Sequence, residues 1–203
     1  GVEVEEITPA EVYAKYPHVE TEGMTGAVYL PKDGQGDPAN IALALAKGAR
    51  ARGAIVAERI KATGVVRAGR RVTAVDWAGE DGSAGQIEAE HVINCAGMWG
   101  RDVGRMLGSN VPLQACEHFY IVTEAIPSLR ELPVLRVPDE YAYYKEDAGK
   151  ILLGAFEPVA KPWALQGIPE SFEFDQLPED FDHFEPILEM AVKRLPLLAD
   201  VGI

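Results

Sequence analysis

The stretch Val92-Ile93-Asn94-Cys95-Ala96-Gly97-Met98-Trp99 constrains this chain more than any other. An apolar run passes into three small positions and then into residues with helical spacing, which is the layout of a strand-to-helix turn open to a flat ligand. A dinucleotide-binding protein also needs a G-x-G-x-x-G turn after an early strand, where glycines bring the backbone close to a pyrophosphate. The 203 residues contain no such hexapeptide. The chain therefore reads as the part of a larger enzyme that holds substrate groups and one edge of a cofactor pocket, with the phosphate-binding part elsewhere.

Composition narrows the partners. With 47% hydrophobic and 25% charged residues the chain is ordinary globular material. Nineteen Lys and Arg against 32 Asp and Glu leave a net charge of -13, which repels nucleic-acid phosphates and anionic membranes. Neither nucleic acid nor membrane is an expected partner. Apolar runs such as Ile151 to Phe156 fall far short of the roughly 20 residues of a spanning helix. The start, Gly1-Val2-Glu3-Val4-Glu5-Glu6, lacks the positive charge and apolar run of a signal peptide. The expected location is the cytoplasm, or the mitochondrial matrix in a eukaryote. Cys95 and Cys116 are too few and too far apart for a zinc site or a C-x-x-C pair and read as free thiols.

Periodicity supplies the elements. Gly26 to Leu30 reads as a strand and Pro31 to Gly36 as a turn. Asp37-Pro38 opens a helix with Ile41, Leu45 and Ala49 on one face, ended by Gly53. Ala54 to Glu58 reads as a strand, giving residues 26–58 a strand, helix, strand order. Next come a small antiparallel meander over residues 64–89, the 92–94 strand, and a helix bearing Met98, Val103, Met106 and Leu107 that stops at Gly108. In the second half, 116–123, 133–136, 141–145 and 151–156 are strand candidates for an open sheet. A terminal helix over 179–195 is expected to break or start late at Pro186. The predicted class is α+β: a mostly antiparallel sheet with covering helices plus a partial α/β layer. The expected segments are 1–36 and 111–203 for the substrate domain and 37–110 for part of a cofactor domain.

Several of these stretches together resemble the FAD-dependent amine oxidoreductases of the D-amino-acid oxidase superfamily, with dimethylglycine and sarcosine dehydrogenases the nearest in look. They are Gly34-Gln35-Gly36-Asp37-Pro38 with its helix, Ala62-Thr63-Gly64-Val65, Val92 to Trp99, and Val111 to Thr123. Leu132 to Arg136, Tyr141 to Lys145 and Gly154-Ala155-Phe156-Glu157-Pro158 extend the likeness. The resemblance implies oxidation of an N-methyl group of a small amino acid by hydride transfer to FAD. It places Cys95, Ala96, Gly97 and Trp99 beside the cofactor, Ala62 near its adenine, His118 in the substrate site, and Tyr143 as a substrate-orienting residue with Tyr144 as the competitor one position on. A histidine there would help keep the amine neutral, since only a free lone pair favours hydride loss.

Read without the resemblance, the turn at 94–97 is a packing turn, His118 a satisfied sheet-edge histidine, and both tyrosines packed strand aromatics. Arg136 suits a carboxylate or a brace of the sheet. Asp180, Asp182, His183 and Glu185 read as a solvated acidic face rather than a metal site. Relatives also carry a phosphate turn, in several members a histidine bonded to the flavin, a further Gly-rich segment, and often a tetrahydrofolate-binding C-terminal domain, none of which these residues represent. The chain alone is therefore expected to be inactive, and to self-associate through an apolar surface near Ala96 and Gly97. The alternatives are another amino-acid oxidase, a glycerol-3-phosphate-type flavoenzyme, or a non-catalytic ligand-binding module.

Overall fold

The computed structural model describes residues 1–127 and 129–203. In chain order the elements are β1 (Glu5–Ile7), α1 (Pro9–Lys15), β2 (Ala27–Tyr29), α2 (Pro38–Ala51), β3 (Ile60–Ala68), β4 (Arg71–Gly79) and β5 (Ala84–Glu88). They continue with α3 (Gly100–Met106), β6 (Tyr120–Val122), β7 (Leu135–Val137), β8 (Ala142–Asp147), β9 (Lys150–Ala155) and α4 (Phe181–Arg194). The chain forms two compact units, one of Gly1–Gly36, Glu117–Lys161 and Gln176–Ile203, the other of Asp37–Cys116 and Pro162–Asp175. This is the mixed, mostly antiparallel α+β class that the sequence predicts.

The first unit is built on a four-stranded antiparallel sheet in the order β6-β9-β8-β7. The β8–β9 hairpin closes through Ala148 (φ 53°) and Gly149 (φ 78°), two positive φ angles that match the right-handed twist of the paired strands. Period-2 alternation then sorts the side chains. Tyr144, Ile151 and Leu153 are fully buried in a cluster with Val12 and Tyr16 of the α1 region and Phe184, Ile187, Ala191, Leu195 and Leu198 of the C-terminal region. Phe184, Ile187 and Ala191, three or four residues apart, share one face of the C-terminal helix, and Leu195 and Leu198 extend the cluster from its C-cap and the short helical turn that follows. A Thr8–Glu11 capping box starts α1.

Helix α4 runs unbroken through Pro186, against the expected break. The missing proline N–H removes one bond, the one to the Asp182 carbonyl, at a cost of about 3 kcal/mol. Burial of Phe184 and Ile187 on either side of it offsets that, each large apolar side chain contributing about 1.5–3 kcal/mol.

Two hydroxyls in this core, Tyr16 Oη and Tyr144 Oη, are buried with no hydrogen-bond partner among the described residues. Burial pushes both phenols up, and the charges of Glu146 near Tyr16 and Glu140 near Tyr144 add to it. Because unfolded phenols ionise near pH 10, their contribution is complete below that pH. Above it the unfolded chain releases protons that the native chain retains, so stability falls by about 1.4 kcal/mol per pH unit for each tyrosine. Urea midpoints are expected to drop accordingly as the pH rises past about 10, and Tyr16→Phe is expected to make that fall shallower by about 1.4 kcal/mol per pH unit.

The second unit carries the three-stranded antiparallel meander β3-β4-β5, with α2 and α3. Asp37 caps α2 by accepting the Asn40 N–H at 2.7 Å. Three expectations fail here: the strand at 54–58, the strand at 92–94 and, with them, the partial α/β layer. Residues 54–58 and 92–94 form no strand, because no neighbouring strand supplies ladder partners to them; Ile55 is 95% exposed and Ile93 82%. For the same reason the apolar stripe of α2 is uncovered, with Ile41 and Leu45 both exposed. Gly108 (φ 63°) ends α3 as expected.

Candidate functional site

The line of register across the four-stranded sheet assembles the site in the first unit. Arg136 lies opposite Tyr143, Tyr143 opposite Gly154, and Gly154 opposite Tyr120. Cross-strand partners share a face, and this one is opposite the face that buries Tyr144 and Leu153. Tyr143 is half-buried while Tyr144 is fully buried, so of the two neighbours only Tyr143 offers its ring to a ligand. Gly154 makes room for it: a Cβ there would overlap the Tyr143 ring.

Phe156, just past β9, is the centre of the face. Its ring is 5.5 Å from that of Tyr143 and 5.3 Å from that of His118, and the Arg136 guanidinium stands 4.4 Å from its centroid. Arg136 thus stacks on an aromatic face with its donors still outward for an anionic group. Burial pushes the Tyr143 phenol up, and Tyr120 and Glu157 add to it. The hydroxyl therefore stays protonated at neutral pH and is available as a donor.

His118 precedes β6 by two residues and is partly exposed. Its Nδ1 is 3.3 Å from Glu157 Oε2, and Glu157 Oε1 accepts the Phe119 N–H at 3.0 Å. The Glu157 side chain is only 4% exposed. This residue was not among the sequence candidates, and no spacing marks it. It lies 39 positions from His118, and only the antiparallel pairing of β6 with β9 brings the two together.

The remaining candidates belong to the second unit. Asn94 takes over the work of a ladder at the turn: its Nδ2 donates to the Gly100 carbonyl (2.9 Å) and its Oδ1 accepts the Ala96 N–H (3.2 Å). Gly97 adopts φ 54°, with open space where a Cβ would stand. Cys95, Gly97 and Trp99 are exposed and Ala96 half-exposed. Ala62 is exposed on β3 opposite Trp77, at a register shift between Ala62 and Gly64. Small side chains, a left-handed backbone position and unobstructed space fit the edge of a planar cofactor such as FAD.

The acidic run is accounted for otherwise. Asp180 caps α4 through the His183 N–H at 3.1 Å and pairs with Lys161. Among the described residues, no group of three His, Cys, Asp or Glu side chains is placed to hold a metal ion. Nor is any helix there long and apolar enough to cross a membrane.

The chain belongs to the FAD dependent oxidoreductase (DAO) family, whose model matches residues 1–202. Mitochondrial sarcosine dehydrogenase of Mus musculus is 36% identical to it over 208 residues, covering 100% of this chain and 22% of that protein. Mitochondrial dimethylglycine dehydrogenase of Mus musculus is 31% identical, covering 97% of this chain and 23% of that protein. The mitochondrial pyruvate dehydrogenase phosphatase regulatory subunit of Mus musculus is 34% identical, covering 100% and 23%. The chain thus spans about a fifth to a quarter of the length of these relatives. The structure of L-proline dehydrogenase from P. horikoshii shares the fold, with a TM-score of 0.79 and 21% identity over 100% of this chain and 51% of that one.

Proposed function

We propose that this chain supplies the substrate-facing part of an FAD-dependent oxidoreductase that demethylates an N-methylated glycine, sarcosine or dimethylglycine. The observation that carries the reading is the convergence of His118, Tyr143 and Arg136 on Phe156, in a chain whose relatives include proteins named for those two substrates. FAD, when bound, would supply the hydride acceptor for the N-methyl group. Arg136 holds the substrate carboxylate, Tyr143 donates to it, and His118 takes the amine proton so that the nitrogen lone pair is free when the hydride leaves. Phe156 provides the apolar floor for the methyl group. In the second unit, Cys95, Ala96, Gly97, Trp99 and Ala62 would be the positions that hold the edge of FAD.

None of these steps needs tetrahydrofolate, whose proposed part is to take up the one-carbon product. In a eukaryotic host the mitochondrial matrix is the proposed location, since the relatives quoted are named mitochondrial. A second reading, a non-catalytic regulatory role, is favoured by the likeness to a regulatory subunit. The deciding assay follows bleaching of flavin absorbance in the complete gene product given sarcosine, dimethylglycine or glycerol 3-phosphate. Bleaching by the methylated glycines alone supports the proposal. Bleaching by the polyol phosphate alone, or by none of the three in a flavin-loaded protein, overturns it. The 203-residue chain by itself is expected to show no turnover.

A further inference from the structure

We infer that Glu157 is a positioning residue that fixes the tautomer of His118, holding the proton on Nδ1 and leaving the Nε2 lone pair for the ligand. The inference rests on the proposed function for what the Nε2 lone pair does, but not for the tautomer itself. Three observations carry it. First, Glu157 Oε2 stands 3.3 Å from His118 Nδ1, and an ionised carboxylate can only accept, so Nδ1 must donate. Second, the carboxylate cannot swing away freely. Its side chain is 4% exposed, and its other oxygen is held by the Phe119 N–H at 3.0 Å, donated from the residue next to the histidine. Third, the imidazole is tilted against Phe156 at a centroid distance of 5.3 Å, which restricts its ring flip.

The two oxygens of one carboxylate therefore grip the chain at 118 and 119, one through a side chain and one through the backbone. The ring is held in orientation and in protonation form by the same group. Under the proposed function, the substrate ammonium gives its proton to Nε2. The imidazolium that results keeps its Nδ1–H on the Glu157 carboxylate, so charge forms where a fixed anion already waits. No other atom changes its bonding in that step, and the amine is left neutral.

The test reads the tautomer directly. In the ¹⁵N-labelled 203-residue protein, two-bond ¹H–¹⁵N correlations of neutral His118 are expected to show a protonated Nδ1 and an unprotonated Nε2, favoured by about tenfold or more, as befits a hydrogen bond to a charged acceptor. Glu157→Gln retains an oxygen for the Phe119 N–H but turns an amide donor toward Nδ1, so the preference is expected to reverse. A wild-type His118 protonated mainly on Nε2 overturns the inference, and that reading needs no variant to fold. An unchanged tautomer in a folded Glu157→Gln protein overturns it as well. Sarcosine added to the flavin-loaded complete gene product, labelled in the same way, addresses the functional reading separately. If Nδ1 is protonated as expected but sarcosine does not perturb the His118 signals, the tautomer assignment stands and the substrate assignment falls.

Discussion

Leu153→Ala is expected to lower the stability of the protein by about 3 kcal/mol, in the 2–5 kcal/mol range typical of buried leucines. Leu153 is fully buried at the middle of β9, paired with Ile121 on one side and Tyr144 on the other. Truncation would remove its transfer free energy and leave a cavity that the paired backbones on both sides cannot collapse to fill. Urea denaturation followed by circular dichroism reads the loss as a lower midpoint at constant slope. A shift of less than about 1 kcal/mol would mean that the sheet relaxes around the gap and that the core is less tightly packed than described.

Arg194→Ala is expected to have an effect of similar size by a different route. Its Nε donates to both carboxylate oxygens of Glu140, at 3.0 and 3.2 Å, its Nη2 donates to Oε1 of Glu140, and its Nη1 donates to the carbonyl of Glu20. Both side chains are largely buried, 13% and 20% exposed. The bonds to Glu140 push the guanidinium pKa up, the sign expected when the charged form is the one being held. Removing the arginine leaves a largely buried carboxylate and an unpaired carbonyl, at a cost of about 2–4 kcal/mol once partial exposure is allowed for. Lysine is not expected to rescue it, because an ammonium cannot reach two oxygens and a carbonyl from one planar fork. A double-mutant cycle with Glu140→Gln measures the coupling, and additive effects would show that the pair does not act as a unit.

Much of this architecture is legible before any coordinates. The meander over β3 to β5, helix α2 with its Asp37 cap, the stop at Gly108 and the centres of the four strands of the second half follow from local signals: β-branched runs, turn dipeptides, capping residues and glycine at left-handed positions. The expected strand over 116–123 is shorter than its apolar run and pairs only over Tyr120–Val122. Tyr143 and Tyr144 show where local signals end. Alternation says that they face opposite ways but not which face is covered, and that was decided by α1 and α4 packing over Tyr144. The segments 54–58 and 92–94 fail for the complementary reason. Their residues favour strands, yet a strand exists only where a partner completes its hydrogen bonds.

The candidate site divides along the same line. His118, Tyr143, Ala62 and the turn at 95–99 were within reach of pattern and resemblance because each belongs to a short stretch with its own character. Glu157 was not, since a glutamate before a proline carries no local mark of its task, and its meaning comes from a contact across two strands. The sequence by itself determined which segments turn, cap and alternate, because those preferences act over a few neighbouring residues. Only the tertiary structure decided which tyrosine is buried, that Pro186 is tolerated within a helix, and that one buried carboxylate holds His118, because each of those outcomes depends on residues far apart in the chain meeting across a sheet or a core.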